Sequence, residues 1–180
     1  MSQIAAVEPA TVQGKAKNGL HAVQKMLGAT PNLFRVTAQA PAALESMVAQ
    51  FGALAQGVLN AKERESIAMT VAELNGCDYC LSAHSYLGKG AGLSEADLRR
   101  ARSGEATSDR LKALLQFARE LVVRHGRPED SSLTALRKAG VTDTEALEVV
   151  ANVSLNIFTN YVNLVAGTEI DFPVVRAGER

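Results

Sequence analysis

Residues Ala61–Gly90 read AKERESIAMTVAELNGCDYCLSAHSYLGKG, and fold and chemistry are decided together in this stretch. Asn60 stands before it with Glu63 three positions on. That is the spacing of a capping box, in which a short polar side chain and a glutamate satisfy each other's free backbone N–H groups. The helix so begun runs to Asn75-Gly76, two residues that tolerate positive φ and so suit a sharp reversal. A second helix is expected from about Cys77 to Leu87, with Gly88, Gly90 and Gly92 as its stop. The two cysteines of the chain both lie in its first turn, and His84 follows the second by four positions.

If the two helices run antiparallel from that pivot, Glu65 lies ten positions before Asn75 and His84 eight positions after Gly76. At about 1.5 Å rise per residue, they sit roughly 15 Å and 12 Å from the turn, near one level on facing helices. A carboxylate–imidazole contact follows if the faces match. Cys80 and His84 form an i, i+4 pair on one helix face, within direct or one-water reach. Cys77 is i, i+3 from Cys80, so a disulfide between them needs little backbone motion. Cys77 is roughly 10 Å from His84, too far for direct contact.

This spacing points to thiol chemistry. A thiol attacks poorly until it is a thiolate. An imidazole beside Cys80 can take its proton, and a carboxylate can hold that imidazole in one tautomer. The helix N-terminus also favours the thiolate, and by itself would favour Cys77. Cys80 is the expected attacking sulfur, because a positioned base also serves proton transfer. A peroxide attacked by Cys80 would leave a sulfenic acid, which Cys77 can condense to a disulfide for an external dithiol to reset.

The remaining chain reads as helix throughout, with no sustained period-2 alternation. Helices are expected at about 15–27, after Pro31, from Pro41 to near Gly57, from Ser94, over SDRLKALLQFARELVVRHG and SSLTALRKAG, and from a capping box at Thr142 and Glu145. Leu111, Leu114, Leu115, Ala118, Leu121 and Val122 make one stripe. The tail TEIDFPVVRAGER reads as irregular. Glutamates in the first two turns of both capped helices (Glu63, Glu65; Glu145, Glu148) hint at an internal duplication. No linker divides the 180 residues, so a single domain is expected, with its core motif at about 41–90.

Composition argues against several classes. Lys+Arg and Asp+Glu number 19 each, so no net field draws nucleic acid or anionic lipid. Tryptophan is absent and aromatics are 4 %, which disfavours base-stacking platforms. The last helix is apolar, yet Asn152, Asn156, Asn160 and Asn163 interrupt it; four amides in lipid are costly, so a buried or inter-subunit helix is expected, not a span. These amides are expected to bond backbone, another helix or a neighbouring subunit. The N-terminus lacks a basic segment followed by an apolar run, so no signal peptide is expected and the compartment is read as cytoplasmic. There a Cys-x-x-Cys pair is more often redox-active or metal-binding than a structural staple.

Glutamate, eleven residues, Cys-x-x-Cys, three residues, histidine: Glu65, Cys77, Cys80 and His84 meet this pattern, which resembles the AhpD-like alkylhydroperoxidases of the carboxymuconolactone decarboxylase family. The likeness is strong over 41–90; PNLFRVTAQAPAAL and NIFTNYVNLVAGTEIDFPV look like the peroxidase-related branch. The resemblance implies an all-α multihelical bundle, a homo-oligomer (trimer or hexamer), no cofactor or metal, and reduction of alkyl or hydrogen peroxide by the dithiol, with a thiol or dithiol reductant. It implies Cys80 as the peroxidatic thiol, Cys77 as resolving thiol, and His84 and Glu65 as a proton relay. Many alkylhydroperoxidase members carry a second histidine between the cysteines; here Tyr79 stands there, a candidate proton relay. The lactone decarboxylases lack the cysteine pair.

Other readings compete. The same four residues could ligate zinc, though cysteines and histidine on one continuous helix close a tetrahedron awkwardly. A thiol–disulfide adapter or redox sensor would use the same pair without turning peroxide over. Glu65 could be a surface carboxylate favoured by the helix dipole. His21 and His125 have no partner pattern.

Overall fold

A computed structural model describes residues 2–179. Among the described residues there are nine helices and no strand, an all-α fold. They are α1 (Gly14–Leu27), α2 (Asn32–Thr37), α3 (Pro41–Ala55), α4 (Ala61–Leu74), α5 (Asp78–Gly90), α6 (Glu95–Arg102), α7 (Asp109–Val123), α8 (Ser132–Lys138) and α9 (Asp143–Ala166).

The local signals explain most of the boundaries. The capping boxes at Asn60/Glu63, Ser94/Asp97 and Thr142/Glu145 all form. Pro41 sits in the first turn of α3, where its missing N–H costs nothing. Asn75 and Gly76 make the reversal, Gly76 with φ +65°. Helix α5 departs from expectation: it runs through Gly88 to Gly90 and turns at Gly92. Gly88 is there for closeness, not for stopping. A Cβ at Gly88 would lie 2.7 Å from Leu98 Cδ2 and 3.8 Å from the Cβ of Glu65.

Helix α4 is the axis of the molecule, packed by α5, α6, α7 and α9. Ser66, Ile67, Ala68, Met69, Thr70, Val71 and Ala72 are all buried, as expected for a helix surrounded on all sides. Thr70 answers its buried hydroxyl by donating to the carbonyl of Ala101 at 2.6 Å. On α7 the expected stripe faces this core, and Phe117 joins it.

The two capped glutamates meet at one cation. Arg110 of α7 binds Glu63 at 3.1 Å and Glu145 at 2.6 Å, tying the starts of α4 and α9 together. Arg110 and its bond to the cap of Thr142 hold the Glu145 carboxyl down from 4.5 to about 2. Glu65 and Glu148 do not correspond. Glu65 faces α5, whereas Glu148 accepts the N–H groups of Val58 and Leu59 at 2.9 and 3.1 Å.

Helix α9 is long and apolar enough to cross a membrane by composition, but half of its most apolar window is buried within this fold. One face carries the buried Asn152, Asn156, Asn160 and Asn163 into the protein. Asn152 and Asn156 donate to carbonyls one turn back, and Asn160 accepts from Asn75 at 2.8 Å. The other face leaves Leu147, Val150, Tyr161, Leu164 and Val165 exposed.

Candidate functional site: the Cys77–Cys80 turn

The reversal at Gly76 sets α5 antiparallel to α4, and contacts step in opposite directions along the two helices. Ser85 reaches Met69, and Gly88 lies against Glu65. That register brings Glu65 Oε2 to 2.8 Å from His84 Nδ1. Their side chains are 20 % and 12 % exposed, so the pair sits at the edge of the protein interior. With Nδ1 committed to Glu65, Nε2 is the ring nitrogen left for other work.

Cys77 and Cys80 are joined as a disulfide, with Cα atoms 5.3 Å apart. Cys77 is the N-cap of α5, and its sulfur accepts the Cys80 backbone N–H at 3.3 Å. The Cys80 sulfur accepts Nδ2–H of Asn163, from α9, also at 3.3 Å. In this disulfide form no hydrogen bond joins His84 to either sulfur among the described residues. Both cysteines are buried, Cys77 at 1 % and Cys80 at 3 % exposure. The helix end therefore does not make Cys77 the accessible sulfur.

Burial has two causes that the motif does not contain. One is α9, through Asn163. The other is the C-terminal tail, which crosses the start of α5. Ala177 N–H donates to Asp78 Oδ1 at 2.8 Å, Val175 N–H to Ser82 at 2.9 Å and Gly178 N–H to Glu73 at 3.0 Å. Arg102 binds Glu73 at 2.8 Å and the Arg176 carbonyl at 2.7 Å, pinning the tail from α6.

Tyr79 serves the same closure. Its ring meets Phe172 of the tail edge-on at 5.8 Å, and its hydroxyl accepts the Leu33 N–H at 3.0 Å. Burial drives its ionisation far up, with the Asp171 carboxylate adding to the effect against the Leu33 bond, so the hydroxyl stays protonated. Among the described residues no hydrogen bond links it to a sulfur or to His84. His21 is exposed, and His125 closes α7 at φ +53°. No cluster of three or more His, Cys, Asp or Glu able to hold a metal ion occurs among the described residues.

Asn163 and the tail were missed as site elements in the sequence. The signs of Asn163 were its place in a row of four amides at helical spacing and in the stretch NIFTNYVNLVAGTEIDFPV, which also holds the start of the tail; neither pointed to the sulfurs.

An all-helical protein with a paired-cysteine turn beside a glutamate–histidine contact is the class that fold and site define. The sequence model of the carboxymuconolactone decarboxylase family matches residues 41–122, from the start of α3 to the end of α7. Among solved structures, an uncharacterized peroxidase-related protein with an AhpD core from Ralstonia eutropha JMP134 is similar at 23 % identity, covering 94 % of this chain and 92 % of that one, with TM-score 0.84. A peroxidase-related protein from Silicibacter sp. TM1040 is similar at 21 % identity, covering 93 % and 91 %, with TM-score 0.80. The debrominase Bmp8, in complex with 2,3,4-tribromopyrrole, is similar at 16 % identity, covering 95 % and 92 %, with TM-score 0.80. No curated protein matches the chain. At these identities the structural likeness is one of fold. Residues 41–122 thus match the carboxymuconolactone decarboxylase family model, and the chain has the AhpD-like fold.

Proposed function

We propose that the protein is a thiol peroxidase that reduces alkyl or hydrogen peroxides through Cys80 and Cys77. The observation that carries this reading is the 2.8 Å contact of Glu65, on α4, with His84, on the helix that begins at the two cysteines. In the reduced state His84 takes the Cys80 proton, and Glu65 stabilises the imidazolium. The Cys80 thiolate attacks the hydroxyl oxygen of the peroxide; the S–O bond forms and the O–O bond breaks. The electron pair leaves on the alkoxide, which takes the proton back from His84 as alcohol. The Cys77 thiol then attacks the sulfenic sulfur, forming the disulfide and releasing water. An external dithiol returns the pair to two thiols. No step requires a cofactor or metal.

Burial of both cysteines restricts the substrate to small or slender peroxides entering from the Glu65–His84 side, where the side chains keep 20 % and 12 % exposure. We assign Tyr79 to holding the tail and α2 in place, not to the proton relay. The single helical domain works as a homo-oligomer, trimer or hexamer, in the cytoplasm. The exposed apolar row Leu147, Val150, Tyr161, Leu164 and Val165 of α9 supports association with further copies, since such a patch is costly in water.

The test is steady-state consumption of an alkyl hydroperoxide with a supplied dithiol, alongside sulfenic acid trapping by dimedone. Cys77→Ser should leave a trappable sulfenic acid at Cys80, and Cys80→Ser should leave none. An adapter that carries electrons to a separate peroxidase would exchange with dithiols yet consume peroxide slowly, and that outcome overturns the proposal. Trapping at Cys77 instead would exchange the two roles.

A further inference from the structure

Asn163 lies 83 positions from Cys80 in sequence, is 4 % exposed, and donates Nδ2–H to the Cys80 sulfur at 3.3 Å. Its other end, Oδ1, is buried without a hydrogen-bond partner among the described residues. A buried amide oxygen with no donor is uncommon in a folded protein and calls for one. We propose that Asn163 is a catalytic residue that grips both reacting atoms: Nδ2–H holds the Cys80 thiolate, and Oδ1 accepts the O–H of the incoming peroxide. This rests on the peroxidase reading above.

The two sulfurs differ in where they find a donor. Cys77, at the helix end, has a backbone N–H. Cys80, one turn in, has Asn163 from another helix. A hydrogen bond to an ionised acceptor is stronger than one to a neutral acceptor, so the amide favours the thiolate over the thiol. The two ends of one amide are adjacent, so a peroxide whose O–H is held by Oδ1 has its hydroxyl oxygen beside the sulfur that attacks it. The amide holds the reactants without exchanging a proton. The proton path stays with His84 and Glu65, and the S–O bond forms as the O–O bond breaks.

The charged and titratable groups around this turn leave the assignment to Asn163 distinct. On α5 they are Asp78, Tyr79 and His84. Asp78 is engaged with Arg176 and the Ala177 N–H, and Tyr79 with Leu33. On α4 they are Glu65, bound to His84, and Glu73, bound to Arg102. From the tail come Asp171 and Arg176, and α9 bears no charge beyond Glu148. Asn163 is thus the polar contribution of α9 to the Cys80 sulfur.

The test uses reduced protein in the Cys77→Ser background, so that Cys80 alone reports. The pH dependence of alkylation by iodoacetamide reads the thiolate without any peroxide. Asn163→Leu should move its midpoint up by about one pH unit, a roughly tenfold loss of thiolate below it. Near-isosteric Asn163→Asp, a second variant should the first not fold, should move it further because its charge repels the thiolate. An unchanged midpoint in both overturns the donor role. The second readout is the rate constant for ethyl hydroperoxide, a slender alkyl peroxide, above the midpoint, where the thiolate is fully formed. A deficit of about tenfold or more persisting there supports the acceptor role, and recovery to the parent rate overturns it. If the parent itself is inert to peroxide, the peroxidase reading and the acceptor role fall together, while the alkylation midpoint still decides the donor role.

Discussion

Replacing Glu65 by glutamine removes one charge and keeps the size and an acceptor for His84. The pair is 2.8 Å apart at the bonded atoms. With charge centres about 4 Å apart and an effective dielectric near 20, the attraction of carboxylate for imidazolium is about 4 kcal/mol. The side chains are 20 % and 12 % exposed, so water screens part of it, and glutamine keeps a neutral hydrogen bond. What remains to be lost is about 1–2 kcal/mol of support for the imidazolium that forms as Cys80 ionises. That is a roughly 5–30-fold fall in the rate of thiol oxidation. The assay is stopped-flow oxidation of the reduced protein by an alkyl hydroperoxide at neutral pH, for Glu65→Gln, His84→Gln and the double variant. His84→Gln should lose about 100-fold or more, as removal of a general base does. Glu65 acts through His84, so adding Glu65→Gln to His84→Gln should cost nothing further. Losses that multiply in the double variant, or a single-variant loss under about twofold, would refute the relay.

Two further predictions concern the frame that positions this pair. Arg110→Met leaves Glu63 and Glu145, 10 % and 15 % exposed, without their shared cation. It should cost about 1–3 kcal/mol, a melting temperature about 3–10 °C lower by calorimetry near neutral pH. The Glu145 carboxyl is held at about 2, below its ordinary 4.5, so its share of this stabilisation is complete above 4.5 and fades as pH falls toward 2. The gap between parent and variant should therefore narrow on acidification, and a gap that widens would contradict the pairing. Gly88→Ala places a methyl 2.7 Å from Leu98 Cδ2 and 3.3 Å from Leu93 Cδ1, both buried. Overpacking of about 1–3 kcal/mol should outweigh the better helix propensity of alanine, lowering the melting temperature by a few degrees. A higher melting temperature would mean that α6 yields without strain.

The caps of α4, α6 and α9 and the turn at Asn75-Gly76 were legible because each depends on groups within a few residues of one another. The meeting of Glu65 and His84 was legible for a related reason. Two straight helices of known rise, joined by a turn of known sharpness, leave little freedom over ten residues. Gly88 was misread because glycine has two uses, ending a helix and letting another chain approach, and only the neighbour decides between them. Here the neighbours are Leu98, Leu93 and Glu65, and α5 runs on past Gly88.

By itself, then, the sequence determined the helices, their caps, the pivot, and the level at which acid and imidazole face each other. Only the tertiary structure decided what surrounds the sulfurs: Asn163 beside Cys80, the tail over Asp78, and Tyr79 turned to Leu33. Those contacts join positions 46 to 99 residues apart. Side-chain periodicity specifies which face of a helix is buried. It does not specify which distant segment will cover that face, because that depends on how all the helices of the described residues pack at once.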